Sequence, residues 1–184
     1  MKRLTVIAAA IMVVGLCISS AFAASTSTSL NAGTIGFNVG FGNSVFGDSG
    51  VVTINGKYFV MDDLAIVAGI GTRVSSGDRD ADYYSLSGGA RKYLKTTELA
   101  PFIEARFTFA REKDNTSGPM VDQTAFDVGV IFGGEYFLHK QLSLEGGVGL
   151  GFGKVDIENT APAADEDYTY FGTRTVGLSA NFYF

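Results

Sequence analysis

The chain has 184 residues, with 14 Lys and Arg against 19 Asp and Glu and a formal net charge of −5. That length is one domain, and an acidic, aromatic-rich, glycine-rich composition lacks the basic footprint that nucleic-acid binding requires. A single cysteine excludes an internal disulfide framework, and the 24 glycines lie inside alternating segments rather than in a disordered tract.

The first residues predict a secretory leader. Met1-Lys2-Arg3 is a short positive start, Leu4 to Ile18 is almost unbroken apolar sequence, and Ser19-Ser20-Ala21-Phe22-Ala23 supplies small residues at alternate positions. These are the three regions of a cleaved signal peptide, with Ala21 and Ala23 marking the cleavage site. Residues 1–23 are therefore expected to be removed, leaving 24–184 as one domain. The apolar run is shorter than the ~20 residues of a spanning helix. Cys17 follows Leu16, where lipid attachment needs a small residue, so it reads as a small hydrophobe of the signal core. The mature chain then has no thiol, and losing Lys2 and Arg3 leaves 12 basic residues against 19 acidic, a charge of −7.

After a polar lead-in, Ser25 to Asn31, the pattern changes to a period of two, which places successive side chains on opposite faces of a strand. Strand one, Thr34 to Gly42, sets Ile35, Phe37, Val39 and Phe41 against Gly36, Asn38 and Gly40. Strand two, Val51 to Val60, sets Val52, Ile54, Tyr58 and Val60 against Thr53, Asn55 and Lys57. Strand three, Leu64 to Arg73, sorts Leu64, Ile66, Ala68 and Ile70 from Ala65, Val67, Gly69 and Gly71. Strand four, Tyr83 to Leu94, sorts Tyr84, Leu86, Gly88 and Ala90 from Ser85, Ser87, Arg91 and Tyr93.

The second half alternates more sharply. Strand five, Ala100 to Arg111, opposes Ile103, Ala105, Phe107 and Phe109 to Glu104, Arg106 and Thr108. Strand six, Ala125 to Phe137, opposes Phe126, Val128, Val130 and Phe132 to Asp127, Gly129, Gly133 and Glu135. Strand seven, Leu142 to Gly153, opposes Leu144, Val148, Leu150 and Phe152 to Ser143, Glu145, Gly147 and Gly149. Strand eight, Tyr168 to Phe184, ends with Leu178, Ala180, Phe182 and Phe184 against Gly177, Ser179, Asn181 and Tyr183.

Eight segments of about ten residues match strands that cross a bilayer. The connections alternate between short (Met61 to Asp63, Lys95 to Leu99, Leu138 to Gln141) and long polar (Asn43 to Gly50, Val74 to Asp82, Glu112 to Thr124, Lys154 to Asp167). That asymmetry belongs to a barrel with short periplasmic turns and long outer loops. A soluble barrel would turn its apolar face inward. Here the minor face combines glycine and small polar residues with Lys57, Arg91, Glu104, Arg106, Asp127, Glu135 and Glu145. This suits a narrow interior filled by side chains and paired ions better than a soluble exterior rich in Lys and Glu. Tyr58, Tyr84, Phe109, Phe126, Tyr136, Phe152, Tyr170, Phe182 and Phe184 share the apolar face, mostly toward strand ends, as interfacial girdles do.

The motifs Tyr58-Phe59-Val60-Met61-Asp62-Asp63-Leu64-Ala65, Gly88-Gly89-Ala90-Arg91-Lys92-Tyr93-Leu94, Ala100-Pro101-Phe102-Ile103-Glu104-Ala105 and the closing Asn181-Phe182-Tyr183-Phe184 give the mature chain its likeness. It resembles the small eight-stranded outer-membrane β-barrels, such as outer membrane protein X and the transmembrane domain of outer membrane protein A. The resemblance implies an all-β, antiparallel up-and-down barrel in the outer membrane, surrounded by lipid and lipopolysaccharide. It also implies delivery by periplasmic chaperones and recognition by the outer-membrane assembly machinery, whose C-terminal signal Gly177, Phe182 and Phe184 resemble. A monomer is expected, with no cofactor, no metal and no nucleic acid.

Catalytic chemistry finds no constellation. His139, the only histidine, falls in a predicted periplasmic turn and reads as a solvated residue. Buried carboxylates need partners, so the minor-face charges are expected to pair across the lumen. Asp156, Glu158, Asp165, Glu166 and Asp167 make the last long loop acidic without the spaced ligands and turn glycine of a calcium loop. The Gly146 to Gly151 run has no helix after it, so it is not a phosphate-binding loop. The expected role is non-enzymatic, structural or surface-interacting through the outer loops, with a narrow porin-like channel as the alternative.

Overall fold

The computed structural model describes residues 28–43, 49–74, 81–114, 121–159 and 166–184. The leader expected at 1–23, with Ala21 and Ala23, lies outside the described residues. Eight strands follow in chain order: β1 (Ile35–Asn43), β2 (Ser49–Met61), β3 (Leu64–Val74), β4 (Ala81–Tyr93), β5 (Leu99–Asp114), β6 (Val121–His139), β7 (Leu142–Asn159) and β8 (Glu166–Tyr183). Each pairs antiparallel with its neighbours, and β1 pairs with β8 to close the barrel.

The strands run as a tilted wall. Following register partners from Gly40 through Thr53, Gly71, Ser85, Ala110, Ala125 and Val155 arrives at Tyr168. Gly40 itself pairs with Ser179, eleven residues further along β8. A barrel closes only with such a stagger between strand and ring directions.

Exposure decides which face is outside. Phe37, Ile54, Tyr58, Ile66, Ile70, Leu86, Phe107, Phe132, Val148 and Leu150 are all exposed, and they come from the apolar parity of their strands. The opposite parity is buried, down to 0 % for Glu104, Asp127, Glu135 and Asn181. On β7 the outward row runs apolar from Leu144 to Phe152 and then turns to Lys154 and Asp156. On β5 it runs from Ile103 to Phe109 and then to Arg111 and Lys113. An apolar belt of this extent, edged with charge, is the surface of a membrane-spanning barrel.

Two expectations need correction. Strand ends reach further than the apolar periodicity suggested: β5 continues to Asp114, β6 begins at Val121, β7 continues to Asn159 and β8 begins at Glu166. The cause is pairing beyond the belt, where Asp114↔Val121 and Ile157↔Glu166 remain in register. Backbone hydrogen bonds hold these arms although their side chains are polar. Asp156, Glu158, Glu166 and Asp167 are therefore strand residues, while Asp165 lies outside the described residues.

Tyr170 also faces the lumen, where strict alternation through strand eight put it on the lipid side. Glu145 pairs with Ser179 but Gly147 with Val176, so β8 carries one extra residue here. Such a bulge reverses the parity of everything beyond it. Tyr170 consequently pairs with lumen-side Gly153 and packs beside Val51, Tyr83, Ala110, Ala125 and Val155.

Candidate functional site

The lumen is filled in layers, and its middle layer carries most of the predicted charges. Lys57 comes from β2, Arg91 from β4, Glu104 and Arg106 from β5, Glu135 from β6 and Glu145 from β7. Their strand parity turns all of them inward. Lys57 Nζ lies 2.7 Å from Glu145 Oε2 and 3.1 Å from Glu135 Oε2. Arg91 spans the space between two carboxylates, with Nε 2.7 Å from Glu104 Oε2 and Nη2 3.2 Å from Glu145 Oε1. Its Nη1 also pairs with Glu145 Oε2, and its Cζ lies 3.8 Å from the centre of the Phe102 ring. Arg106 Nε closes the chain on Glu104 Oε1. Three cations thus meet three carboxylates, the condition under which buried charge is tolerated.

Neutral donors add hydrogen bonds to Glu135 and Glu145. Tyr93 Oη donates to Glu135 Oε2 at 2.6 Å, and the Tyr183 and Ser143 hydroxyls both donate to Glu135 Oε1. An amide row runs round the adjoining wall: Asn55 Nδ2 donates to Asn38 Oδ1 at 2.9 Å, and Asn38 Nδ2 donates to Asn181 Oδ1 at 2.9 Å and to Glu145 Oε1 at 3.1 Å. These residues were not singled out from the sequence as members of the network. The usable signal was their parity, because Asn38, Asn55, Tyr93, Ser143, Asn181 and Tyr183 alternate onto the charged face.

Beneath this layer lies an aromatic floor. Phe59 stacks on Tyr93 at 5.7 Å between centroids, Phe137 stacks on Tyr183 at 5.6 Å, and Phe102 meets Tyr93 edge-on at 5.8 Å. Above the ionic layer the structure separates Asp127 from its expected companions. Asp127 accepts a hydrogen bond from Tyr170 Oη at 2.7 Å, the contact that the β8 bulge creates. Arg73 and Glu112 pair near the outer mouth. Outside the apolar belt, hydrogen bonding from Arg111 holds the Asp122 carboxyl below its ordinary value of 3.8.

The C-terminal residues sit on the closing seam. Phe184 is exposed, its N–H donates to Ile35 O at 2.9 Å, and its ring meets Phe37 edge-on at 6.3 Å. Phe182 pairs with Phe37 across the same seam. Gly177 lies at the bulge, where an added Cβ would collide with the Phe41 carbonyl oxygen and stand 3.0 Å from Gly42 Cα. His139 ends β6, and its Nδ1 accepts the Gln141 N–H at 3.4 Å. Among the described residues no group of His, Cys, Asp or Glu is arranged to hold a metal ion.

A closed, eight-stranded, antiparallel barrel with an outward apolar belt is the fold of the small outer-membrane β-barrels. Solved structures bear this out. The chain is similar to the N-terminal β-barrel domain of Pseudomonas aeruginosa OprF, with TM-score 0.58 and 15% identity over 83% of this chain and 98% of that one. It is similar to outer membrane protein AlkL, with TM-score 0.54 and 17% identity over 90% and 96%. Neisserial surface protein A matches with TM-score 0.50 and 15% identity over 81% and 94%. At these identities the likeness is one of fold. No protein-family model and no curated protein matches the sequence.

Proposed function

We propose that the protein is a non-enzymatic, monomeric outer-membrane barrel with a sealed lumen, acting in envelope structure or through the surface that its outer hairpins present. The observation that carries this reading is the middle layer. Lys57, Arg91 and Glu135 are all within 2 % of full burial, and their charged atoms are engaged by one another or by phenol and amide groups. An interior of eight strands is only wide enough for such side chains to fill it. In this reading export follows removal of residues 1–23 after Ala23. Chaperones and the assembly machinery deliver the chain by its Gly177, Phe182 and Phe184 end, and lipid with lipopolysaccharide surrounds the belt.

Planar-bilayer recording tests the seal. The purified barrel is expected to give no steady conductance. Steady ion-selective openings whose selectivity changes in Glu104→Gln or Arg106→Gln would overturn the sealed reading and make the protein a narrow porin-like channel.

A further inference from the structure

The segment ahead of β1 does not hang free below the barrel. Between Thr28 and Thr34 it crosses the periplasmic opening and touches all three short turns. Thr28 Oγ1 donates to Thr96 O at 3.0 Å in the β4–β5 turn, and Ser29 Oγ donates to Lys140 O at 2.7 Å in the β6–β7 turn. In the β2–β3 turn, Asp63 N–H donates to Leu30 O at 3.0 Å, and Asp62 Oδ1 accepts Ala32 N–H at 2.9 Å. Gly33, with φ +84, then turns the chain upward into β1, a conformation that glycine adopts without steric cost.

Leu30 is the centre of this crossing. It is 1 % exposed and belongs to the same apolar cluster as Phe59, Tyr93, Phe102, Phe137 and Tyr183. Those rings come from five different strands, so the seat for Leu30 exists only when the wall around it is assembled. Two of the rings, Tyr93 and Tyr183, carry the hydroxyls that donate to Glu135. Asp63 links the same parts through the backbone, because its N–H holds Leu30 O while its carbonyl accepts Tyr93 N–H at 2.7 Å. Asp63 does so from a left-handed conformation, φ 66, which Asp tolerates better than most residues.

We propose that Thr28–Thr34 is a latch that docks across the periplasmic end after the barrel has closed, and that by seating Leu30 beneath Tyr93 and Tyr183 it holds their hydroxyls on Glu135. The latch couples the floor of the barrel to its ionic layer. It depends on the assembled floor and not on whether the lumen conducts, so its test and the conductance test fail independently.

The test uses the mature protein refolded in detergent micelles, with Leu30→Ala and the milder Ser29→Ala, read by unfolding and refolding rates and by amide hydrogen exchange. A contact formed after the transition state changes the unfolding rate alone. Leu30→Ala is expected to unfold about tenfold faster or more, and to refold within about twofold of the parent. Ser29→Ala is expected to move in the same direction by less. Exchange should rise at Asp63, Tyr93 and Tyr183 and stay unchanged at Ile54 and Ile70 in mid-wall. Slower refolding in proportion to the lost stability, or failure of Leu30→Ala to fold, overturns late docking. Exchange raised at Asp63 alone overturns the coupling, and unchanged rates in both variants overturn the latch altogether.

Discussion

Glu135 and Glu145 are direct register partners on β6 and β7, and both point into the lumen. Like charges placed opposite each other in a sheet repel, and burial raises the cost of each. Lys57 answers both at once, at 3.1 and 2.7 Å, while Arg91 reaches Glu145 from the other side. The pair of carboxylates is therefore a device for holding β2 and β4 to the far wall through the lumen.

Lys57→Met tests that device. Removing one partner of a buried ion pair costs about 3–5 kcal/mol, and here two facing carboxylates lose a shared cation. The urea midpoint of the folded protein in detergent is expected to fall accordingly, with the gel shift between unheated and boiled samples retained. Adding Glu135→Gln should recover part of the loss, because Glu145 keeps Arg91. A Lys57→Met protein as stable as its parent would mean that the ionic layer fills space without bracing the wall.

Gly177 offers a test of the closing seam. Its backbone lies so close to the Phe41 carbonyl that an added methyl must displace it, and overpacking of this kind costs about 1–3 kcal/mol. Gly177→Ala should lower the unfolding midpoint by that order. Gly172 on the same strand meets nothing within 4 Å of an added Cβ, so Gly172→Ala should leave the midpoint in place. Equal effects at the two positions would show that the bulge accommodates a side chain.

Alternation in the sequence makes most of this barrel legible. Period two sorted Lys57, Arg91, Glu104, Glu135 and Glu145 onto one face, and a closed ring of eight strands leaves inward charges little choice but to meet. Periodicity does not report a bulge, because one inserted residue leaves each flanking segment alternating correctly within itself. For that reason strict alternation assigns Tyr170 to the wrong face, and the separate Asp127–Tyr170 contact is hidden with it. Nor does apolar periodicity mark where pairing ends, since backbone bonds carry β5 to β8 past the belt through polar residues such as Arg111 and Asp122. Leu30 was unreadable too, as a lone leucine in a polar lead-in. Its burial comes from the aromatic floor, which no local pattern announces.

Deleting Phe184 separates closure of the barrel from the assembly signal proposed for the last strand. In the folded barrel its N–H and carbonyl exchange hydrogen bonds with Ile35, at 2.9 and 3.3 Å, and its ring meets Phe37. Deleting it removes those bonds, each worth about 1 kcal/mol, but leaves the pairing of Gly36 to Gly40 with Ser179 to Tyr183. The shortened protein is therefore expected to refold from urea into detergent with a heat-sensitive gel shift and a modestly lower midpoint. If Phe184 belongs to the proposed assembly signal, the shortened protein's amount in the outer-membrane fraction in cells should fall much further than that loss of stability explains, because such a signal acts before the strand is paired. Outer-membrane levels that decline only in step with the midpoint would assign Phe184 to closure of the barrel and remove it from recognition.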